Sequence, residues 1–176
     1  MGPEHLFRLE RVLGGNGVLR PGSRVLEIAT PPMLTGYTAA WLARTTGESG
    51  AVVSLIGDEE GARFAAMRYA AVNLSIEPMA GALGDALAGE TDGAFDGIVH
   101  LDLPMEPEPR SRVTRELWRV LRPGGWMLVG LRIGPGATDE VMHEIVAGMA
   151  KMGAEIDPAA LRPGMVLDVL LGKRAE

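Results

Sequence analysis

The tetrapeptide Leu-Arg-Pro-Gly occurs three times, starting at Leu19, Leu121 and Leu161, and each time an apolar run follows: RVLEIA, WMLVGL and MVLDVLL. Proline cannot continue a helix, glycine accepts the turn, and a strand begins at once. That punctuation predicts three strand starts. The unequal spacing argues against a repeat protein. Two further short aliphatic runs, AVVSLIG from Ala51 and FDGIVHL from Phe95, have the composition of strands buried on both faces of a parallel sheet.

Helical periods fill the intervals. Ala62, Ala65, Ala66, Tyr69 and Val72 form one apolar stripe, Val113, Leu117, Val120 and Leu121 a second, and Val141, Ile145, Met149 and Met152 a third. The segment GYTAAWLART adds a fourth helix, and a leading helix runs from about Glu4 to Leu13, ending at Gly14-Gly15. Strand and helix alternate, so the expected fold is an open α/β sheet with helices on both faces. Two closing strands without a helix between them, AEIDP and MVLDVLLGKR, predict an antiparallel final strand beside an otherwise parallel sheet.

A chain of 176 residues is the usual size of one domain, and the expected organisation is a single domain over residues 1–176. Although 47% of residues are apolar, no stretch approaches the roughly 20 unbroken apolar residues of a membrane span. Residues 1–20 carry Glu4, Arg8, Glu10 and Arg11 and lack the apolar core of a secretory signal, so a cytoplasmic location is expected. Cysteine is absent, which removes disulfides, thiolate metal sites and thiol nucleophiles, and with only His5, His100 and His143 no metal is expected. A net charge of −6 without a basic run opposes a nucleic-acid partner. The ten methionines fit adaptable core packing or an exposed interface.

Ligands of open α/β sheets bind outside the carboxyl ends of the strands. The segments to inspect are therefore Glu27 to Tyr37, Ile56 to Asp58, Gly84-Asp85 and His100 to Asp102. His100 has an ordinary pKa near neutrality and can act as a general acid or base, with Asp102 two residues on to orient it or act by itself. Glu27 and Asp85 are hydrogen-bond acceptors for a ligand amine or hydroxyl. Each has a plainer reading: Glu27 as a partner of loop N–H groups, Asp85 and Asp102 as turn or cap residues, His100 as a satisfied strand-end histidine. Trp118 and Trp126, flanking LRPGG, read as packing groups.

Over residues 18–133 the chain resembles the class I S-adenosylmethionine-dependent methyltransferases, with protein-L-isoaspartate methyltransferases the nearest subgroup. The resemblance is carried in order by RVLEI, GYTAAWLA, VVS on the second strand, Gly84-Asp85, the FDGIV strand and LRPGGWMLV. It leaves residues 1–17 as a leading helix and turn and 134–176 as a final helix and strands. It implies a Rossmann-like fold and S-adenosylmethionine as cofactor, held by Glu27, Thr30, Gly36, Tyr37, Asp58 and Asp85, with His100 and Asp102 facing the transferred methyl.

The chain also departs from that family pattern. Glycines stand two, four and six residues beyond the acidic residue in the family; here those positions are Ala29, Pro31 and Met33, and Gly36 follows three residues late. Prolines 31 and 32 fix φ and remove two N–H donors where a cofactor cradle needs free backbone. The ribose-binding acidic residue of the family falls at Ile56, which offers no acceptor. Asp58 would replace it only if the strand end shifted by two residues. Two functions follow as expectations. One is a repurposed methyltransferase-fold protein with a degenerate S-adenosylmethionine site, a biosynthetic subunit of natural-product type or an accessory subunit of a heteromeric complex. The other is an active methyltransferase on a small molecule or protein carboxylate. A related methyltransferase-fold subunit or a second copy is the expected partner, together with a small-molecule ligand and neither nucleic acid nor membrane.

Overall fold

A computed structural model describes residues 9–14, 17–29, 36–101, 107–132, 139–162 and 167–175. The chain divides into two compact units, Met1–Glu90 and Thr91–Glu176. The first holds a single π turn, Glu10–Gly14, then β1 (Arg24–Ile28), α1 (Tyr37–Thr46), β2 (Ala51–Ile56), α2 (Glu59–Ala71), β3 (Ile76–Ala80) and α3 (Leu83–Leu87). The second holds β4 (Phe95–His100), α4 (Pro107–Val120), β5 (Leu121–Arg132), α5 (Asp139–Lys151), β6 (Ala154–Arg162) and β7 (Leu167–Arg174).

In the first unit β1 and β3 flank β2, and both pairings are parallel, with Glu27 opposite Ser54 and Ile56 opposite Ala80. The turn before β1 follows the punctuation of the sequence. Gly22 adopts φ +84°, which a side chain would resist, and its N–H bonds the Thr46 carbonyl at 2.8 Å. β1 then buries Val25 and Leu26 completely, and β2 buries Val52 through Ile56. β3 escaped the reading of apolar runs because Pro78 interrupts it. Among the described residues of this unit β3 pairs with β2 alone, and a strand at such a position tolerates the missing donor. The leading helix is described only from Leu9 onward, where Leu9, Val12 and Leu13 are buried; Glu4 to Arg8 lie outside the described residues.

In the second unit β4 and β5 are parallel, β5 and β7 antiparallel, and β6 and β7 antiparallel, in the order β4-β5-β7-β6. The second LRPG departs from the turn-then-strand expectation. α4 runs directly into β5 at Leu121, and Arg122 to Gly125 form an irregularity inside the ladder, whose register passes from Phe95–Leu121 to Gly97–Trp126. The positive φ of Gly124, +73°, accommodates the extra residues. The third LRPG meets the end of β6 at Arg162, and residues 163–166 lie outside the described residues. The core of this unit is Phe95, Ile98, Leu117, Val120, Leu121, Met127 and Leu128, all fully buried. Among the described residues no helix is long and apolar enough to cross a membrane.

Candidate functional site

The register of β1 against β2 places a carboxylate opposite a hydroxyl. Glu27 and Ser54 are cross-strand partners, and the Ser54 Oγ donates to Glu27 Oε2 at 2.6 Å. Tyr69 approaches from α2, and its hydroxyl donates to Ser54 Oγ at 3.2 Å. The three side chains form a buried chain of hydrogen bonds ending on the carboxyl. Burial pushes the Glu27 carboxyl up to about 7, and the Ser54 hydrogen bond offsets this only in part. Burial likewise raises the Tyr69 hydroxyl above its ordinary value. Near neutral pH Glu27 is thus poised between its two protonation states, with only 3% of its surface exposed. Sequence reasoning had Glu27 but missed Ser54 and placed Tyr69 only in a core stripe. A lone serine in the buried run AVVSLI was the available signal, since a buried hydroxyl requires a partner.

At the end of β2, Ile56 is buried, as the sequence pattern implied. Asp58, the nearest downstream carboxylate, accepts the Gly61 N–H at 2.7 Å and caps α2. The cap role of Asp58 was not anticipated from sequence; Glu59 and Glu60 add favourable charge in the first turn. Gly36 precedes α1 with φ +106°, and a Cβ there would lie 3.5 Å from Tyr69 Cε1. The glycine therefore serves the left-handed backbone, since a Cβ would meet Tyr69 only at ordinary contact distance. Gly36, Tyr37, Trp41, Arg68 and Tyr69 line a cleft of about 270 Å³ between α1 and α2. Tyr37 is exposed at its mouth, and Asp85 is exposed in the first turn of α3. The structure thus brings Gly36 and Tyr37 to one cleft, seals Glu27 inside the sheet, and leaves Asp58 and Asp85 at helix starts. Thr30, Pro31 and Met33 lie outside the described residues.

In the second unit His100 ends β4 and is 5% exposed. Burial lowers its pKa to about 4, and among the described residues its Nδ1 has no hydrogen-bond partner. The imidazole is therefore neutral at neutral pH, which corrects the expectation of a base titrating near 6.5. An orphaned buried nitrogen marks a place where a water or a ligand group would be accepted. Asp102, its expected companion, lies outside the described residues. Elsewhere in this unit, α4 and α5 enclose a cleft of about 360 Å³ with Met149 and Met152 on one side. There buried Arg110 pairs with Glu144 at 2.5 Å. Trp126 packs in the core, and Trp118 is half-buried with the Arg174 guanidinium 5.9 Å from its ring centre.

Parallel β-α-β units, with an acidic residue near the end of the first strand, define a Rossmann-like α/β fold. The chain belongs to the methyltransferase domain family, whose pattern matches residues 33–129. It is 31% identical over 134 residues to Methyltransferase GfsG of Streptomyces halstedii, covering 74% of this chain and 45% of that one. The chain thus spans less than half the length of that relative. Among solved structures it is similar to a SAM-dependent methyltransferase from Aquifex aeolicus, with TM-score 0.73, 17% identity and 98% of both chains covered. It is also similar to a SAM-dependent O-methyltransferase from Thermotoga maritima, with TM-score 0.69, 17% identity, and 100% of this chain and 66% of that one covered. The [4+2]-cyclase SpnF matches with TM-score 0.70 and 17% identity, over 96% of this chain and 81% of that one.

The family implies S-adenosylmethionine. At the β2 end Ile56 is buried, and Asp58 Oδ1 accepts the Gly61 N–H. Glu27 is turned toward Ser54 within the sheet.

Proposed function

We propose that this chain is a repurposed methyltransferase-fold protein that does not hold S-adenosylmethionine in the family manner on its own, and that it serves as a biosynthetic or accessory subunit of natural-product type. The observation that carries this reading is the end of β2, where Ile56 is buried and offers no acceptor, and Asp58 Oδ1 caps α2. A ribose hydroxyl pressed against that surface loses its acceptor. Such an unpaired group costs about 1 to 3 kcal/mol, or roughly one to two powers of ten in affinity. The missing glycines at Ala29, Pro31 and Met33 add to the loss. A protein of this fold that is named a cyclase supports the reading, because the fold alone does not fix the chemistry. The finer kinship we infer is with the protein-L-isoaspartate methyltransferases, on the motifs RVLEI, GYTAAWLA and LRPGGWMLV.

Calorimetric titration of the purified chain with S-adenosylmethionine and S-adenosylhomocysteine tests this. No saturable heat is expected at micromolar concentrations, and the Ile56→Glu variant alone is not expected to restore it. Micromolar binding by the unaltered chain would reject the proposal. It would favour the second reading, an active methyltransferase on a small molecule or protein carboxylate, for which family membership speaks.

A further inference from the structure

We propose that the outer face of α2 is a self-association surface, on which a second copy of this chain docks antiparallel across a two-fold axis at Phe64. The large apolar side chains left exposed among the described residues are Tyr37, Phe64, Met67 and Val72. Phe64 and Met67 lie one turn apart on α2, away from its buried residues Ala62, Ala65 and Tyr69. Val72 caps the same helix, and it lines the α1–α2 cleft together with Tyr37. Single exposed apolar residues are ordinary, whereas a contiguous set on one helix marks a contact surface.

The charges around Phe64 determine which partner fits. Glu60 lies four residues before it and Arg68 four residues after it, and both are exposed. Along the outer face the helix therefore reads acid, aromatic, base at intervals of one turn. When two copies of α2 cross antiparallel with Phe64 on the axis, each residue meets the one equally far from Phe64 on the other side. Glu60 then meets Arg68 of the second copy, and two-fold symmetry makes that pair twice. Met67 meets Gly61 of the second copy, a position with no side chain to oppose it. A parallel crossing sets Glu60 against Glu60 and Arg68 against Arg68, which the charges disfavour. Arg68 already stands over the Phe64 ring, its guanidinium 6.0 Å from the centroid. The cation thus lies at the edge of the apolar contact, where an interface rim places its polar groups.

Sedimentation velocity of the full chain over a range of concentrations tests the proposal, with circular dichroism to show that each variant is folded. The unaltered chain is expected to dimerise with increasing concentration. Glu60→Arg and Arg68→Glu each bring like charges together on both sides of the axis and should weaken the dimer by roughly tenfold. The double variant Glu60→Arg, Arg68→Glu restores opposite charges and should return the dissociation constant to near that of the unaltered chain. Met67→Lys should leave a monomer. An unaltered chain that stays monomeric overturns the inference, and so does a double variant as weak as the two single effects combined. Sedimentation of the unaltered chain reads the dimer and calorimetry reads the cofactor, so failure of this inference is distinguishable from failure of the proposed function.

Discussion

Glu27 gives the chain a pH dependence whose sign follows from its burial. The carboxyl releases its proton near 4.5 in the unfolded chain and near 7 in the fold. Between those values the folded state holds more protons, so this group's contribution to stability falls as pH rises and is fully lost above about pH 7, a change of about 3 kcal/mol. His100 acts in the opposite sense. The unfolded imidazole takes a proton near 6.5 and the buried one only near 4, so stability falls by a similar amount as pH drops through that window. From about pH 4.5 to 6.5 the two slopes offset each other, and a single substitution should expose the one that remains. Glu27→Gln keeps an acceptor toward Ser54 but cannot ionise. Chemical denaturation from about pH 5 to 8 should show the unaltered chain losing about 3 kcal/mol relative to this variant. Parallel curves would show that Glu27 titrates normally. Removing the imidazole by His100→Asn should, conversely, spare about 3 kcal/mol between about pH 7 and 4. Glu27 was legible in the sequence as an acidic strand end. Its partner Ser54 was not, because its role depends on the register between two strands rather than on any local pattern.

At the scale of elements, two features of the ladders and caps can be tested by single changes. Gly97 on β4 sits under the Trp126 ring on β5, and a Cβ there would come within 2.2 Å of the indole. Both atoms belong to buried, close-packed strands, so Gly97→Ala must displace Trp126 or bend the strand. A cost of about 2 kcal/mol or more in thermal or denaturant unfolding is expected. Among the described residues the indole nitrogen of Trp126 is itself buried without a partner. Trp126→Phe discards that orphan together with some packing volume, and the two effects oppose, so a net change below about 1.5 kcal/mol is expected. At the start of α2, Asp58→Ala removes the cap on Gly61 and should cost about 1 kcal/mol of stability. That loss, with ligand affinity unchanged, would separate a cap from a ribose ligand. Elements with a clean period were readable in advance: α1, α2, α4, α5, β2 and β4 follow their apolar spacing. β3 was not, since Pro78 breaks its alternation, nor was the join of α4 to β5, where the Pro-Gly-Gly run is absorbed as a ladder irregularity instead of a turn. Val72 shows the same limit, because a stripe drawn from spacing assigned it to the core and the helix ends before it is covered.

For the whole molecule, the fold and the chemistry separate. Strand and helix order is set by periodicity, turns and burial over the full length, and these survive at 17% identity to the Aquifex aeolicus enzyme with 98% of both chains covered. Cofactor affinity depends on a few backbone and carboxylate groups, which can be lost while the core stays intact. Ligand linkage turns this into a measurement. A ligand at a hundredfold its dissociation constant stabilises the folded state by about 2.7 kcal/mol. In a chain of this size that corresponds to a rise of roughly 5 to 10 °C in melting temperature. S-adenosylmethionine at that excess over a typical family affinity should therefore raise the melting temperature by several degrees if the site is intact. On the proposed reading, with Ile56 buried at the β2 end and Asp58 capping α2, the expected rise is below about 1 °C. The same scan of Asp58→Ala adds a control, because freeing the α2 N-terminus should lower the melting temperature without making it respond to the cofactor. A response that appears only in the unaltered chain would mean that Asp58 both caps the helix and holds the ribose, and the β2 end would then have to be read as a shifted family site.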